Sequence, residues 1–220
     1  MTRREAIEHW GVYAITGRTL AGGQTHAEIG AQLIEGGVRV IQLRDKTTPY
    51  EILLEDARRL VERARPRGVT VIANDNPYLA RDADADGVHL GQNDCPVAVA
   101  RDIVGPDRLI GLSTHTRLQA LRAQQLDVDY IGLGPIYTTQ TKRRSYLPLG
   151  LSTVRWAAAT LEIPFVAIGG ITADTFADVM AAGARHCAMI SALMQNDDLI
   201  ATTQRFMRLC NDLWKEDDFE

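Results

Sequence analysis

Residues 69–94 read VTVIANDNPYLARDADADGVHLGQND. Two short apolar runs lie within them, 69–73 and 87–90. Each breaks off into small polar and acidic residues: Asn74, Asp75 and Asn76 after the first, Gln92, Asn93 and Asp94 after the second. Continuous Val/Ile/Leu runs mark parallel strands buried on both faces. Two such strands in succession bring their ends side by side, so Asp75 and Asp94 meet at one rim.

The same alternation continues outward in both directions. Upstream, 11–16 (GVYAIT) reads as a strand, followed by a helix over 25–35 that opens with a capping box, Thr25 with Glu28. Gly36 and Gly37 stop it. Residues 38–43 form the second strand. The next helix is expected to open with Thr48 as N-cap and Pro49 at its first position, with Leu53, Ala57, Leu60, Val61 and Ala64 on its apolar face. Downstream, helical stretches are expected at 78–83 and 95–104, from a second capping box (Thr116 with Gln119) through 125, and at 151–161, 172–182 and about 192–214. Strands are expected at 109–112, 129–133, 165–168 and 186–190. Eight strand–helix pairs predict a (β/α)8 TIM barrel, one domain over 1–220, with a doubly wound open sheet as the alternative.

Composition narrows the function classes. A chain of 220 residues, 45% hydrophobic and 24% charged, is large enough for one substantial core. The net charge of −4 argues against a nucleic-acid partner. Cys95, Cys187 and Cys210 are far apart and form no CxxC pair, so neither a disulfide framework nor a structural zinc site is indicated. The opening MTRREAIEHW has charge without a following apolar segment, and no run approaches the length of a membrane helix. A cytoplasmic protein without a membrane partner is expected; self-association is left open.

In a barrel, the loops after the strands share one face, where active sites sit. The polar residues there are Thr16; Gln42, Arg44 and Lys46; Asn74 and Asp75; Asp94; Ser113 and His115; Thr138, Thr139, Thr141 and Lys142; Gly169 and Gly170; and Ser191. Cations, hydroxyls and glycines in this number suit a phosphorylated ligand, and two aspartates beside cations suit a Mg²⁺ ion shared with phosphate oxygens. Each residue also has an ordinary reading. Asp75 and Asp94 can cap helices, Arg44 and Lys46 can be solvated loop charges, the serines can satisfy backbone groups, and His115 can be structural. The convergence of all of them on one face favours the ligand.

The chain also resembles the thiamine-phosphate synthase family over nearly its whole length. QLRDK (42–46), IAND (72–75), GVHLGQND (87–94), GLSTHT (111–116), GLGPIYTTQTK (132–142) and AIGGIT (167–172) are similar, in order and spacing, to motifs of that family. The resemblance implies a transferase that condenses 4-amino-2-methyl-5-hydroxymethylpyrimidine diphosphate with thiazole phosphate, giving thiamine phosphate and pyrophosphate with Mg²⁺. It implies that Gln42, Leu43, Arg44, Asp45, Lys46, Asn74, Ser113 and Lys142 hold the pyrimidine diphosphate. Asp75 and Asp94 would bind Mg²⁺, and Thr139, Gln140, Thr141, Gly170, Ile190 and Ser191 would surround the thiazole phosphate. Arg44, Lys46, Thr141 and Lys142 are the residues expected at the reacting groups. The implied chemistry is ionisation of the pyrimidine's methylene–oxygen bond followed by capture of the cation by the thiazole nitrogen.

The alternatives are a barrel resembling the thiazole tautomerase and a phosphate-binding barrel without turnover. The sequence departs from the family pattern at Asn76-Pro77, where an arginine usually follows the aspartate, at Thr16-Gly17, where an aspartate is usual, and in the bulky, basic 143–147 segment.

Overall fold

A computed structural model describes residues 3, 5–139 and 146–217, the side chains of 215–217 excepted. Its strands are β1 (Val12–Ile15), β2 (Val40–Leu43), β3 (Thr70–Asn74), β4 (Gly87–Leu90), β5 (Leu109–Thr114), β6 (Tyr130–Leu133), β7 (Phe165–Ile168) and β8 (His186–Met189). Between and after them run α1 (His26–Glu35), α2 (Tyr50–Ala64), α3 (Pro77–Asp82), α4 (Val97–Val104), α5 (Arg117–Ala123), α6 (Leu151–Thr160), α7 (Ala173–Ala181), α8 (Ser191–Met194) and α9 (Leu199–Asp217). Every strand pairs in parallel with the next, and β8 returns to β1 with Tyr13 opposite Ala188. That last pairing closes the barrel and excludes the open sheet.

The alternation of side chains along each strand divides the apolar residues between two cores. Outward-facing Val12, Ala14, Ile41, Val71, Val88, Ile110, Ile131 and Ala167 pack beneath the helices. Inward-facing Tyr13, Ile15, Val40, Ile72, Leu109, Tyr130, Val166 and Ala188 fill the barrel together with Ile7 and Trp10 from the segment before β1. Trp10 closes the amino-terminal end of the barrel: its ring meets Tyr13 and Tyr130 edge-on at centroid distances of 5.3 and 5.0 Å, and its indole N–H reaches Thr70 Oγ1 at 3.4 Å. The carboxyl-terminal mouth is left for the polar residues.

Two helix starts differ from the sequence expectation. Thr48 does not cap α2, which begins at Tyr50 after Pro49 with no side-chain cap; its hydroxyl donates to Asp45 Oδ2 instead, at 2.8 Å. At α5, Thr116 Oγ1 accepts the Gln119 N–H, but the Gln119 side chain reaches His115 N, so only half of the expected box forms. The box at Thr25 and Glu28 is complete. The final helical stretch is two helices, α8 and α9, separated at residues 195–198. The three cysteines are free thiols, and among the described residues no helix is long and apolar enough to cross a membrane.

His186 on β8 gives the fold a measurable acid sensitivity. The ring is buried, and its Nδ1 accepts the Gly11 N–H at 3.2 Å, which requires an unprotonated nitrogen. Burial pushes its pKa down to about 4, with the charge of Arg185 acting in the same direction. Between pH 6.5 and about 4 the unfolded chain therefore takes up a proton that the folded chain refuses. The stability this group contributes is complete above pH 6.5 and is lost as pH falls, up to about 3 kcal/mol at ~1.4 kcal/mol per pH unit. Melting temperature should drop across that window in wild type and less steeply in His186→Gln. Parallel pH profiles for the two would remove His186 as the cause.

Candidate active site

The chain leaves β3 through a kink at Asp75, whose φ of 65° is left-handed, a conformation that Asp tolerates better than most residues. Its N–H still donates to the His89 carbonyl at 2.8 Å, so the kink is tied to the end of β4. The carboxylate then lies 2.9 Å from Lys46 Nζ and shares a hydrogen bond with the Asp94 carboxyl. Asp94 is fixed by its own loop, its Oδ2 accepting the Gly91 N–H at 2.7 Å. Neither aspartate caps a helix. The cap of α3 is Asn76, whose side chain accepts the N–H groups of Tyr78 and Leu79.

The two acids are shifted in opposite directions. Burial resists ionisation of Asp75, but Lys46 and the hydrogen bond from Asp94 outweigh it and hold this carboxyl below its usual range. Burial and the neighbouring Asp75 raise the Asp94 carboxyl. Two carboxyl groups set this close fit a divalent cation, because a cation between them removes the repulsion of two carboxylates. Among the described residues no cluster of three or more His, Cys, Asp or Glu side chains could hold a metal. Two oxygen ligands with room for phosphate and water suit Mg²⁺ better than zinc.

Cations flank this pair. The Arg44 N–H donates to Thr16 Oγ1 at 3.1 Å, while its guanidinium makes no hydrogen bond or ion pair among the described residues, although its charge is felt at Asp75. Asp45, expected among the substrate-binding residues, instead turns its carboxylate into its own loop. It accepts the N–H groups of Thr47 (2.7 Å) and Thr48 (3.0 Å) and both their hydroxyls (2.9 and 2.8 Å), and meets His26 Nε2 at 3.3 Å. Burial would raise this carboxyl, but the Thr47 and Thr48 donors hold it well below the usual carboxylate range. His26 is itself buried, with Nδ1 2.6 Å from Thr16 Oγ1. Thr16, His26 and Asp45 thus brace the loop that carries Arg44 and Lys46. Asp45→Ala should cost about 2–3 kcal/mol, the scale of hydrogen bonds to a charged group. An unchanged melting temperature would contradict the brace.

Deeper in the mouth, Gln42 and Ser113 are joined by hydrogen bonds through the barrel interior. Gln42 Nε2 donates to Tyr13 Oη at 3.0 Å, Tyr13 Oη meets Tyr130 Oη at 2.8 Å, Tyr130 Oη meets His89 Nδ1 at 3.2 Å, and His89 Nε2 meets Ser113 Oγ at 2.9 Å. Gly111 lies between His89 and Tyr130 in the sheet register, and a Cβ there would collide with both rings. Asn74, at the end of β3, has a buried side-chain Nδ2 without a partner among the described residues. Leu43 is buried in the outer core, so only its backbone is available to a ligand.

On the other side of the mouth, Gly169 and Gly170 follow β7 at φ of 102° and 67°. A Cβ on Gly170 would lie 2.5 Å from the Thr138 carbonyl, so glycine is required where the loop after β6 crosses it. That loop is pinned by Ile136 N–H to Ile168 O and Tyr137 N–H to Gly169 O, both 2.9 Å, which brings Thr138 and Thr139 alongside the end of β7. Ile190 joins β8 to α8, whose first residue is Ser191. Gln140, Thr141, Lys142 and most of the basic segment at 143–147 lie outside the described residues. At His115, Nδ1 is 2.6 Å from the Gly134 carbonyl and the ring stacks on Tyr146 at 3.8 Å.

The sequence reading passed over His26, His89, Tyr13 and Tyr130. The available signal was polar or hydroxylated side chains at inward positions of otherwise apolar strands, as His89 is in GVHL.

Residues 12–193 match the family described as "Thiamine monophosphate synthase". The thiamine-phosphate synthase of Pelotomaculum thermopropionicum is 42% identical to this chain, over 86% of it and 87% of that protein. That of Chloroflexus aurantiacus is 40% identical over 92% and 94%. The solved structure of the thiamine phosphate pyrophosphorylase from Pyrococcus furiosus superimposes with a TM-score of 0.86 at 31% identity, covering 96% of this chain and 98% of that one.

Proposed function

Because the chain belongs to the thiamine monophosphate synthase family, we propose that it condenses 4-amino-2-methyl-5-hydroxymethylpyrimidine diphosphate with thiazole phosphate, releasing pyrophosphate. The observation that carries this reading is the rim itself: a carboxyl pair, Asp75 with Asp94, set beside Lys46 and a guanidinium, Arg44, that makes no ion pair among the described residues. A tautomerase moving a proton on a thiazole has no use for that combination; a leaving diphosphate does.

In this reading Asp75 and Asp94 hold Mg²⁺, which when bound would neutralise charge on the diphosphate oxygens. Arg44 and Lys46 bind the same oxygens and stabilise the charge that grows on them as the methylene–oxygen bond breaks, a contribution often worth several kcal/mol. Lys142 is assigned to the leaving group with them. Gln42, Asn74 and Ser113 orient the pyrimidine ring so that its amino group can feed electrons to the departing centre. Thr139, Gln140, Thr141, Gly170, Ile190 and Ser191 hold the thiazole phosphate on the β7–β8 side, where its nitrogen faces the cation. No protein nucleophile is needed, and the rim contains no Cys–His or Ser–His–Asp set among the described residues.

The test is a pyrophosphate-release assay with each substrate alone and with both, in Mg²⁺ and in chelator. Release that requires both substrates and Mg²⁺ is expected. A folded protein that releases none with both present would refute the reading.

A further inference from the structure

Asp75 and Asp94 reach the rim by different routes. Asp75 follows β3 directly and is held by its kink, by its N–H on the His89 carbonyl and by Lys46. Asp94 lies beyond the end of β4 in an exposed turn that no helix carries, since α4 begins only at Val97 and has no side-chain cap. Two hydrogen bonds close this turn on itself: Asp94 N–H donates to the Gly91 carbonyl at 3.2 Å, and Gly91 N–H donates to Asp94 Oδ2 at 2.7 Å. Bonds within a turn fix its shape but not where it stands relative to the barrel. The hydrogen bond between the two carboxyls does not supply that fix to a loaded site, because it needs a proton that a cation would replace.

One side chain of the turn reaches outside it. Gln92 Nε2 donates to the Ser113 backbone carbonyl at 2.6 Å. The direction of this bond is fixed, because a carbonyl oxygen only accepts and the amide nitrogen must face it. The last residue pair between β4 and β5 is Leu90 with Leu112, so the Gln92 amide adds one more rung to that edge where the backbone of the turn has already left the sheet. Gly91 completes the arrangement: a Cβ there would stand 2.8 Å from Asp94 Oδ2, in the space the carboxylate needs to accept the N–H. Resting on the Mg²⁺ site proposed above, we infer that Gln92 is a positioning residue for the metal, tying the Asp94 turn to β5 so that the Asp94 carboxylate is held beside Asp75 before a cation arrives. Without the tether the turn must be ordered as the metal binds, and that cost falls on metal affinity rather than on the chemistry of the loaded site.

Gln92→Met keeps the length of the side chain and removes the donor. Thermal melting of the full chain in inorganic pyrophosphate, titrated with Mg²⁺, reads metal binding without turnover. The Mg²⁺ concentration that gives half of the full stabilisation should rise about three- to tenfold in Gln92→Met, the scale of one hydrogen bond. Its melting temperature in chelator should stay within a few degrees of wild type, because the residue is exposed. Gly91→Ala, which drives the carboxylate off its N–H, should raise the same midpoint. Steady-state turnover should show the matching split, with a higher Mg²⁺ requirement in Gln92→Met and no fall in kcat at saturating Mg²⁺. A merely structural role would do the reverse, lowering the melting temperature in chelator and leaving the Mg²⁺ midpoint in place. An unmoved midpoint in Gln92→Met, with wild type responding to Mg²⁺, would overturn the tether alone. A wild type that gains no stability from Mg²⁺ in pyrophosphate would overturn the metal reading on which the tether rests.

Discussion

Asp75→Asn is expected to lower turnover by about three orders of magnitude, the scale of removing one preorganised charge from a reacting centre. The backbone should be little disturbed. Asparagine tolerates the left-handed conformation at φ 65°, and the N–H of this residue still reaches the His89 carbonyl. The loss instead follows from charge: an uncharged amide binds a cation shared with Asp94 more weakly, and forms no ion pair with Lys46, whose ammonium sits 2.9 Å from the carboxylate. Asp94→Asn should behave alike, since an amide oxygen can still accept the Gly91 N–H. In chelator both variants should melt within a few degrees of wild type, because each removes half of a mutually repelling pair. In Mg²⁺ with pyrophosphate, wild type should gain melting temperature and the variants should not. A variant with full turnover in steady-state assays would show that the pair is not the metal site.

Arg44→Ala should cost about 10²- to 10³-fold in turnover, accompanied by weaker binding of the pyrimidine diphosphate. The guanidinium stands at the rim without a hydrogen-bond or ion-pair partner among the described residues, while the backbone N–H of Arg44 is anchored on Thr16 Oγ1, so the side chain is carried by a braced loop. Arg44→Lys should recover only part of the loss, since an ammonium supplies charge without the planar fork that grips two phosphate oxygens at once. Complete recovery in steady-state kinetics would mean that net charge alone matters at this position.

Much of the fold was legible because two periodicities are hard to mistake: inward and outward residues alternate along strands such as VIQL and YIGL, and the Thr25–Glu28 box marks a helix start locally. Eight strand–helix pairs point to a barrel, and the pairing of β8 with β1 closes it. The fine structure of the loops was not legible, because short polar residues have several local partners of similar energy. Thr48 looks like an N-cap in sequence, yet Asp45, three residues earlier, captures its hydroxyl before the helix begins. Asp45 itself sits inside the QLRDK motif, and only the fold shows that five donors from Thr47, Thr48 and His26 occupy its carboxylate. Asn76, a departure from the family pattern, is the cap of α3, a role a neighbouring arginine could not fill.

Asp75 and Asp94 were found together from strand order alone, and the hydrogen bond they share adds a physical reason for a cation between them. The chain of hydrogen bonds in the barrel interior was invisible for a different reason. Gln42, Tyr13, Tyr130, His89 and Ser113 come from five strands spread over a hundred residues of sequence, and nothing local connects them.

The claim that Asp75, Asp94, Arg44 and Lys46 form a magnesium–diphosphate site is tested most directly by calorimetric titration of inorganic pyrophosphate into the wild-type chain, with Mg²⁺ and with chelator. Mg²⁺ should tighten binding by about 100-fold, and Asp75→Asn should abolish that gain while leaving the weak metal-free binding to Arg44 in place. Equal affinity with and without Mg²⁺ would contradict the site.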